Sequence, residues 1–325
     1  MTDITILGAG VMGLAIASEL AGRGLSPRLI DPAGKPGSHA CSWRAGGMLA
    51  PFCEAESAEP VVLRLGRNAA AWWQAQGVEV THRGTLVLAP ARDRADLERF
   101  ARLTQAHRPV DAAEIAALEP ELEGRFPRGL FFESEAHLNP RAALTTLRDR
   151  LAERGIAIET EGTPSGLTVD ARGLAARDAL PDLRGVRGEM LVVRCPEVTL
   201  TRTIRLLHPR IPLYVVPRGD GIYMIGATML ETGGKYRATA RSVVEMLSAA
   251  YALHPGFAEA EVMELGSDAR PAFPDNLPRL RRRGNTLYAN GLYRHGYLLA
   301  PAVAGMAADY ITTGAKPEFM DEDHP

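Results

Sequence analysis

Cysteine is scarce in this 325-residue chain. Cys41, Cys53 and Cys195 are the three present, and none forms a C-x-x-C pair, which argues against a disulfide or zinc framework and suits a reducing compartment. The eight histidines show neither H-x-H nor H-x-x-x-H spacing, so no metal site is expected. Charge of one sign is lacking as well: 37 Lys plus Arg face 39 Asp plus Glu, a net charge of −2. That balance removes the long-range pull toward nucleic acid or an anionic membrane and favours a small ligand. No segment reaches the ~20 uninterrupted apolar residues of a bilayer span. The apolar stretch 4–20 follows Asp3, where a signal peptide would be positive, and three glycines break it; a cytoplasmic protein is expected. Nucleophile-elbow motifs, internal repeats and low-complexity tracts are missing too.

What is present is an ordinary globular composition, 46% hydrophobic and 23% charged, long enough for a cofactor domain and a substrate domain. The opening reads strand (4–7), glycine turn (8–13), helix (14–24) and strand (27–30), a βαβ start. A glycine-rich and then acidic loop (45–56) precedes a helix over 61–76, whose Trp72 and Trp73 read as core. Next come a strand (80–88), a charged helix (91–107), a short helix (112–118) and a strand (129–133). Asn139-Pro140 caps a helix to about 154, and short strands at 156–160 and 167–170 extend the first sheet. Strands at 189–193, 204–207, 213–216 and 222–225, a covering helix (238–253) and a strand (262–265) follow. The chain closes with a strand (285–289), a turn (291–296) and a small-residue helix (297–312). Glu54, Glu56 and Glu59 read as an acidic surface loop, and Arg281-Arg282-Arg283 as a solvated turn.

Gly8-Ala9-Gly10-Val11-Met12-Gly13 is a G-x-G-x-x-G between an apolar strand and a helix, with Asp31 eighteen positions beyond Gly13 at the end of the next strand. Gly8 permits the tight turn, Gly10 a close approach of pyrophosphate, and Gly13 close packing of helix on strand, while the helix N-terminus offers N–H donors to phosphate. Asp31 suits ribose hydroxyls and repels a 2′-phosphate, which disfavours NADP. The fingerprint alone leaves NAD and FAD open.

The segment Arg44-Ala45-Gly46-Gly47-Met48-Leu49-Ala50-Pro51 resembles the loop under the isoalloxazine in FAD-dependent D-amino acid oxidase-like enzymes, and within that family the pattern is most similar to the glycine oxidases of thiamine biosynthesis. Residues 115–122, 185–190, 226–229 and 291–301 resemble further family segments in order, so the likeness spans the whole chain. It implies an α/β fold: a Rossmann-like FAD-binding domain (1–76, 138–185 and 271–325) and an α+β antiparallel-sheet substrate domain (77–137 and 186–270). It also implies flavin contacts from Ser42, Arg44, Ala45, Gly46, Gly47, Met48 and Leu49, from Gly173, and from Arg294, His295, Gly296, Tyr297 and Leu298 beside Gly8, Gly10, Val11, Met12, Gly13 and Asp31. Where many relatives have Thr-Gly, this chain reads Asp170-Ala171-Arg172-Gly173, and the adenine-side contacts stay unassigned. Covalent relatives use a C-terminal cysteine; the last cysteine here is Cys195, so FAD is expected to be noncovalent.

Oxidising an α-amino acid requires a carboxylate anchor, a Cα–H aimed at the flavin and a neutral amine. The planar fork of an arginine suits the first task. By resemblance Arg270 is that anchor, Arg294 a second active-site arginine, Tyr214 a hydroxyl donor to the carboxylate, and Met229 and Met48 the pocket walls. The plainer readings are a surface ion pair for Arg270, an acid-paired or strand-capping Arg294, and a core Tyr214. Pro212 stands where some relatives carry histidine. The helix opening at residues 295–298 would turn its positive end to the flavin and favour the anionic reduced form. The expected reaction is oxidation of glycine, a small amino acid substrate, with O2 as acceptor and the imine hydrolysed to glyoxylate and ammonia; the resemblance implies, as the alternative fate, hand-over of the imine to thiazole synthase. A homo-oligomer is the expected assembly. Oxidation of sarcosine, proline or small D-amino acids, and a non-catalytic flavin-binding subunit, are the alternatives.

Overall fold

In a computed structural model, residues 3–208, 211, 213–231 and 237–322 are described; Pro212 lies outside them. Two large sheets organise the chain. The first has seven strands in the spatial order Met320–Glu322, Arg279–Arg283, Thr286–Asn290, Leu167–Asp170, Ile4–Leu7, Arg28–Ile30, Ile158–Glu159. Neighbours run parallel except the hairpin of Arg279–Arg283 with Thr286–Asn290. A strand covered on both faces is rich in apolar residues, as Ile4-Thr5-Ile6-Leu7 is, with the one polar side chain, Thr5, donating to Ser165 O. The helix Val11–Gly22 has no apolar stripe because nine of its residues are buried, packed between this sheet and the helix Gly296–Thr313. Its small residues, and Ala300, Ala304 and Ala307 opposite, let the two backbones approach closely.

The second sheet has eight strands in the order Glu261–Ala272, Arg184–Arg194, Ile222–Gly226, Leu213–Pro217, Thr203–Leu206, Thr85–Leu88, Arg128–Phe132, Arg108–Asp111. All pairs are antiparallel except Thr203–Leu206 with Thr85–Leu88. The helix Ala240–Leu253 covers one face through Met246, Ala249, Ala250 and Leu253. The two longest strands, Arg184–Arg194 and Glu261–Ala272, pair Val186 with Arg270 and bring Arg270 to the seam between the sheets.

The first sheet draws its strands from residues 4–30, 158–170 and 279–322, and the second from 85–132 and 184–272. This is the mixed α/β, two-sheet arrangement expected. Four local expectations need correction. The helix expected over 61–76 is two helices, Pro60–Gly66 and Ala69–Ala75, broken where Gly66 and Asn68 disfavour helix. The strand expected from 80 begins at Thr85, after Gly84 turns the chain with φ +75. The loop 45–56 holds a strand, Met48–Leu49, and a helical turn, Pro51–Glu54, with Pro51 preset for the first helical position. Arg281 to Arg283 lie in a strand rather than a turn, because Gly284, at φ +51, makes the reversal; Arg281 pairs with Asp182 and Asp321.

Candidate active site

A cavity of about 870 Å³ runs along the seam between the sheets. Gly8, Gly10, Val11, Met12, Asp31, Arg172 and Gly173 line one end; Glu54, Tyr214, Met229, Arg270 and Arg294 line the other; Ser42, Arg44, Ala45, Gly46, Met48, Gly296 and Tyr297 also line it. Gly13, Gly47, Leu49, His295 and Leu298 do not line it. A Cβ on Gly13 would stand 1.8 Å from the Gly8 carbonyl oxygen, and one on Gly47 2.3 Å from that of Leu138. Leu49 and Leu298 belong to the first sheet's core.

The dinucleotide end is preorganised by backbone. Asp31 accepts from the N–H of Ala9 at 2.7 Å and of Ala33 at 2.9 Å, which fixes its carboxylate beside the glycine turn. At Gly10 a Cβ would meet nothing closer than Ser42 Oγ at 3.5 Å, so the protein itself leaves that cradle open. Neither Val11–Gly22 nor Gly296–Thr313 has a side-chain N-cap or an acid in its first turn. Apart from a long bond of 3.4 Å from the Val11 N–H to Ser42 Oγ, their first-turn N–H groups and positive dipole ends are thus offered to whatever fills the cavity. Tyr297 donates to the carbonyls of Ser42 at 3.0 Å and Pro140 at 3.2 Å, tying the Gly296–Thr313 helix to the loop ahead of Gly46. Arg44 donates to Ser38 O and pairs with Asp268 at 3.2 Å.

Arg218, absent from the sequence reading, secures that loop. Its guanidinium donates to the carbonyls of Leu138 at 2.8 Å and Gly46 at 2.7 Å, and burial lowers its pKa to about 9. The sequence signal was weak, since an arginine after Pro217 in a hairpin looks like any exposed turn residue.

The other end is built around Glu54. This side chain is buried, contrary to the surface-loop reading, because Pro51–Glu54 turns inward and Glu135 accepts the Cys53 N–H at 2.7 Å. Arg294 Nη2 approaches Glu54 Oε2 at 2.5 Å and donates to Ser57 Oγ at 2.8 Å. The Tyr214 hydroxyl donates to Glu54 Oε1 at 3.3 Å, and Arg205 stacks over the Tyr214 ring at 5.2 Å. Burial by itself would raise the pKa of Glu54; Arg294, with His295 and Arg205 beside it, outweighs that and holds it at about 2. His295 is kept neutral by its own burial, its pKa down at about 4, so at neutral pH the two guanidiniums carry the effect. Arg294 also reaches Met229 Sδ at 3.3 Å, and Met229 is 45% exposed beside the opening. The acid-paired reading of Arg294 is therefore present together with its place in the cavity.

Arg270 differs from Arg294. Its hydrogen bond goes to a neutral acceptor, the Thr228 carbonyl, at 3.2 Å, and burial lowers its pKa. A Cβ on Gly188 would stand 2.1 Å from Arg270 Nη2, so glycine there makes the room in which the guanidinium sits. Among the described residues no acid pairs with this partly buried guanidinium, and taking a cation out of water is costly unless an anionic ligand answers it.

A family model for FAD dependent oxidoreductases (DAO) matches residues 3–310. The chain belongs to that family. A Rhizobium etli protein carrying the provisional name thiamine biosynthesis oxidoreductase ThiO is 51% identical over 323 residues, covering 97% of this chain and 98% of the relative. The glycine oxidase of Geobacillus kaustophilus is 27% identical over 355 residues, covering 95% and 92%. A crystal structure of glycine oxidase from that organism superposes with a TM-score of 0.80 at 24% identity, covering 98% of this chain and 96% of the other. A bifunctional protein ThiO/ThiG of Trichormus variabilis is 27% identical over 358 residues, which are 99% of this chain and 54% of the relative. This FAD dependent oxidoreductase thus has the cofactor the uncapped helices and the glycine cradle fit. Among the described residues no helix is long and apolar enough to cross a membrane.

Proposed function

We propose that this oxidoreductase catalyses oxidative deamination of glycine to glyoxylate and ammonia, with O2 reduced to H2O2, in thiamine biosynthesis. One observation carries the reading: the partly buried guanidinium of Arg270 lines the cavity with no acid among the described residues answering it, and Tyr214 and the methionine wall line the same cavity. Bound FAD supplies the hydride acceptor. Residues 1–76, 138–185 and 271–325 form its domain and residues 77–137 and 186–270 the substrate domain. Gly8, Gly10, Val11 and Met12 give backbone room and donors to the pyrophosphate, and Asp31 holds the ribose hydroxyls. The uncapped N-terminus at Gly296 favours negative charge on the flavin side facing it.

Arg270 clamps the substrate carboxylate through its fork, and the Tyr214 hydroxyl, which donates to Glu54 in this structure, adds a donor by turning from Glu54 to the carboxylate. Met48 leaves room for a hydrogen at Cα more readily than for a side chain, because displacing its packed atoms costs free energy, while the half-exposed Met229 borders the same space. Glu54 and Arg294 hold each other and Tyr214 in place. The relative in which ThiO continues into ThiG supports hand-over of the imine to thiazole synthase. Peroxide release with a panel of amines tests the reading: glycine should have the highest kcat/KM, and a higher value for sarcosine, D-alanine or D-proline would overturn it.

A further inference from the structure

The substrate end of the cavity contains more positive charge than one carboxylate needs. Arg270 and Arg294 both line it, yet they are not equivalent. Arg294 is neutralised at 2.5 Å by Glu54, whose second oxygen takes the Tyr214 hydroxyl. Arg270 reaches a backbone carbonyl at 3.2 Å. Of the nearby cations, Arg44 is answered by Asp268 at 3.2 Å, and Arg205, behind Tyr214, by Glu56 at 3.2 Å with Glu54 farther off at 3.9 Å. Glu54 stays ionised at neutral pH, held at about 2 by the guanidiniums despite its burial. Among the described residues one positive charge, that of Arg270, is therefore left for ligand at this end, and a negative charge stands against Arg294.

We propose that Glu54 is the specificity-determining residue that holds this pocket to amines with a single carboxylate, by occupying Arg294 and standing where a second carboxylate would bind. The inference rests on the amino acid oxidase reading above. A dicarboxylate amine would have to displace Glu54 from Arg294 or lie against its charge, and like charges in a water-poor cavity repel strongly. Glycine meets neither obstacle, because its one carboxylate goes to Arg270. Without Glu54, Arg294 becomes a second anchor, and the pocket that repelled a dicarboxylate should prefer one.

The test uses the FAD-loaded protein, titrated through the flavin absorbance with acetate and with malonate, neither of which is oxidised. Turnover of glycine is compared with turnover of iminodiacetate in parallel. Wild type should bind acetate more tightly than malonate, by about tenfold or more, which is one decade in Kd. Glu54→Gln should reverse that order and raise the iminodiacetate-to-glycine ratio of kcat/KM by about tenfold or more. The double variant Glu54→Gln/Arg294→Gln, neutral at both positions, should return to preferring acetate; it also tests the idea if the single variant does not hold FAD. A Glu54→Gln protein with the wild-type preference, a double variant that still prefers malonate, or a wild type that binds malonate as tightly as acetate overturns the proposal. Because the titration needs no turnover, the two readings fail separately. Glycine oxidation with an unchanged preference sinks the role of Glu54, whereas reversed ligand preference in a protein that oxidises no amine sinks the glycine reading.

Discussion

Replacing Arg270 by alanine isolates the carboxylate anchor from the rest of the site. Truncating one partner of a buried charge pair typically costs about 2–5 kcal/mol, much of it the penalty of stranding the other charge. Here the stranded partner is the substrate's own carboxylate, which can remain in water, so the lower part of that range applies, about 2–3 kcal/mol. At ~1.4 kcal/mol per decade this is a fall of about 30- to 150-fold in kcat/KM for glycine, mostly as a raised KM. The fold should tolerate the change, since the hydrogen bond lost ends on the neutral Thr228 carbonyl and no protein acid is left buried alone. Steady-state peroxide assays together with the flavin-to-protein absorbance ratio read both effects. A KM within about threefold of wild type, well short of the single decade that ~1.4 kcal/mol represents, would refute the assignment.

Gly188→Ala approaches the same guanidinium from behind: a Cβ there would lie 2.1 Å from Arg270 Nη2, so KM should rise while FAD content and melting temperature change little. Arg218→Met removes the donors that hold Gly46 O and Leu138 O; at about 1.5–3 kcal/mol for a hydrogen bond to a charged group, FAD should dissociate at least tenfold more readily on dialysis. Glu135 is buried, and burial, aided by the nearby Glu54, pushes its pKa up to about 8 against hydrogen bonding and the Arg205 charge. A carboxyl raised in the folded state contributes stability that is full below its unfolded value and lost as pH rises toward 8. Glu135→Gln should therefore melt higher than wild type at pH 8, by a free-energy difference on the order of 2–4 kcal/mol, with the gap closing toward pH 4.5. Equal melting curves at both pH values would count against a protonated Glu135.

Much of the cofactor end was legible because its constraints are local. A glycine turn between strand and helix, with an acid closing the next strand, needs only neighbours in sequence, and Gly8, Gly10 and Asp31 stand where the motif puts them. The helix Ala112–Leu118 and the cap Asn139 were readable for the same reason, as short-range propensity and capping set them. Glu54 was not legible: three acids within six residues look like a solvated loop, and the burial of one depends on Arg294, 240 residues away. Arg218 was hidden similarly, since the carbonyls it binds lie 80 and 172 positions from it. The triplet Arg281-Arg282-Arg283 misled because charge argued for a turn, while Asp182 and Asp321, distant in sequence, neutralise Arg281 within a strand.

The central claim, an FAD-bearing pocket in which a guanidinium holds glycine for oxidation, is tested most directly by the visible spectrum of the purified protein, recorded before and after glycine is added without air. The account predicts an oxidised-flavin band that glycine bleaches and oxygen restores. A protein that binds no FAD, or one whose flavin band glycine leaves untouched, would contradict it.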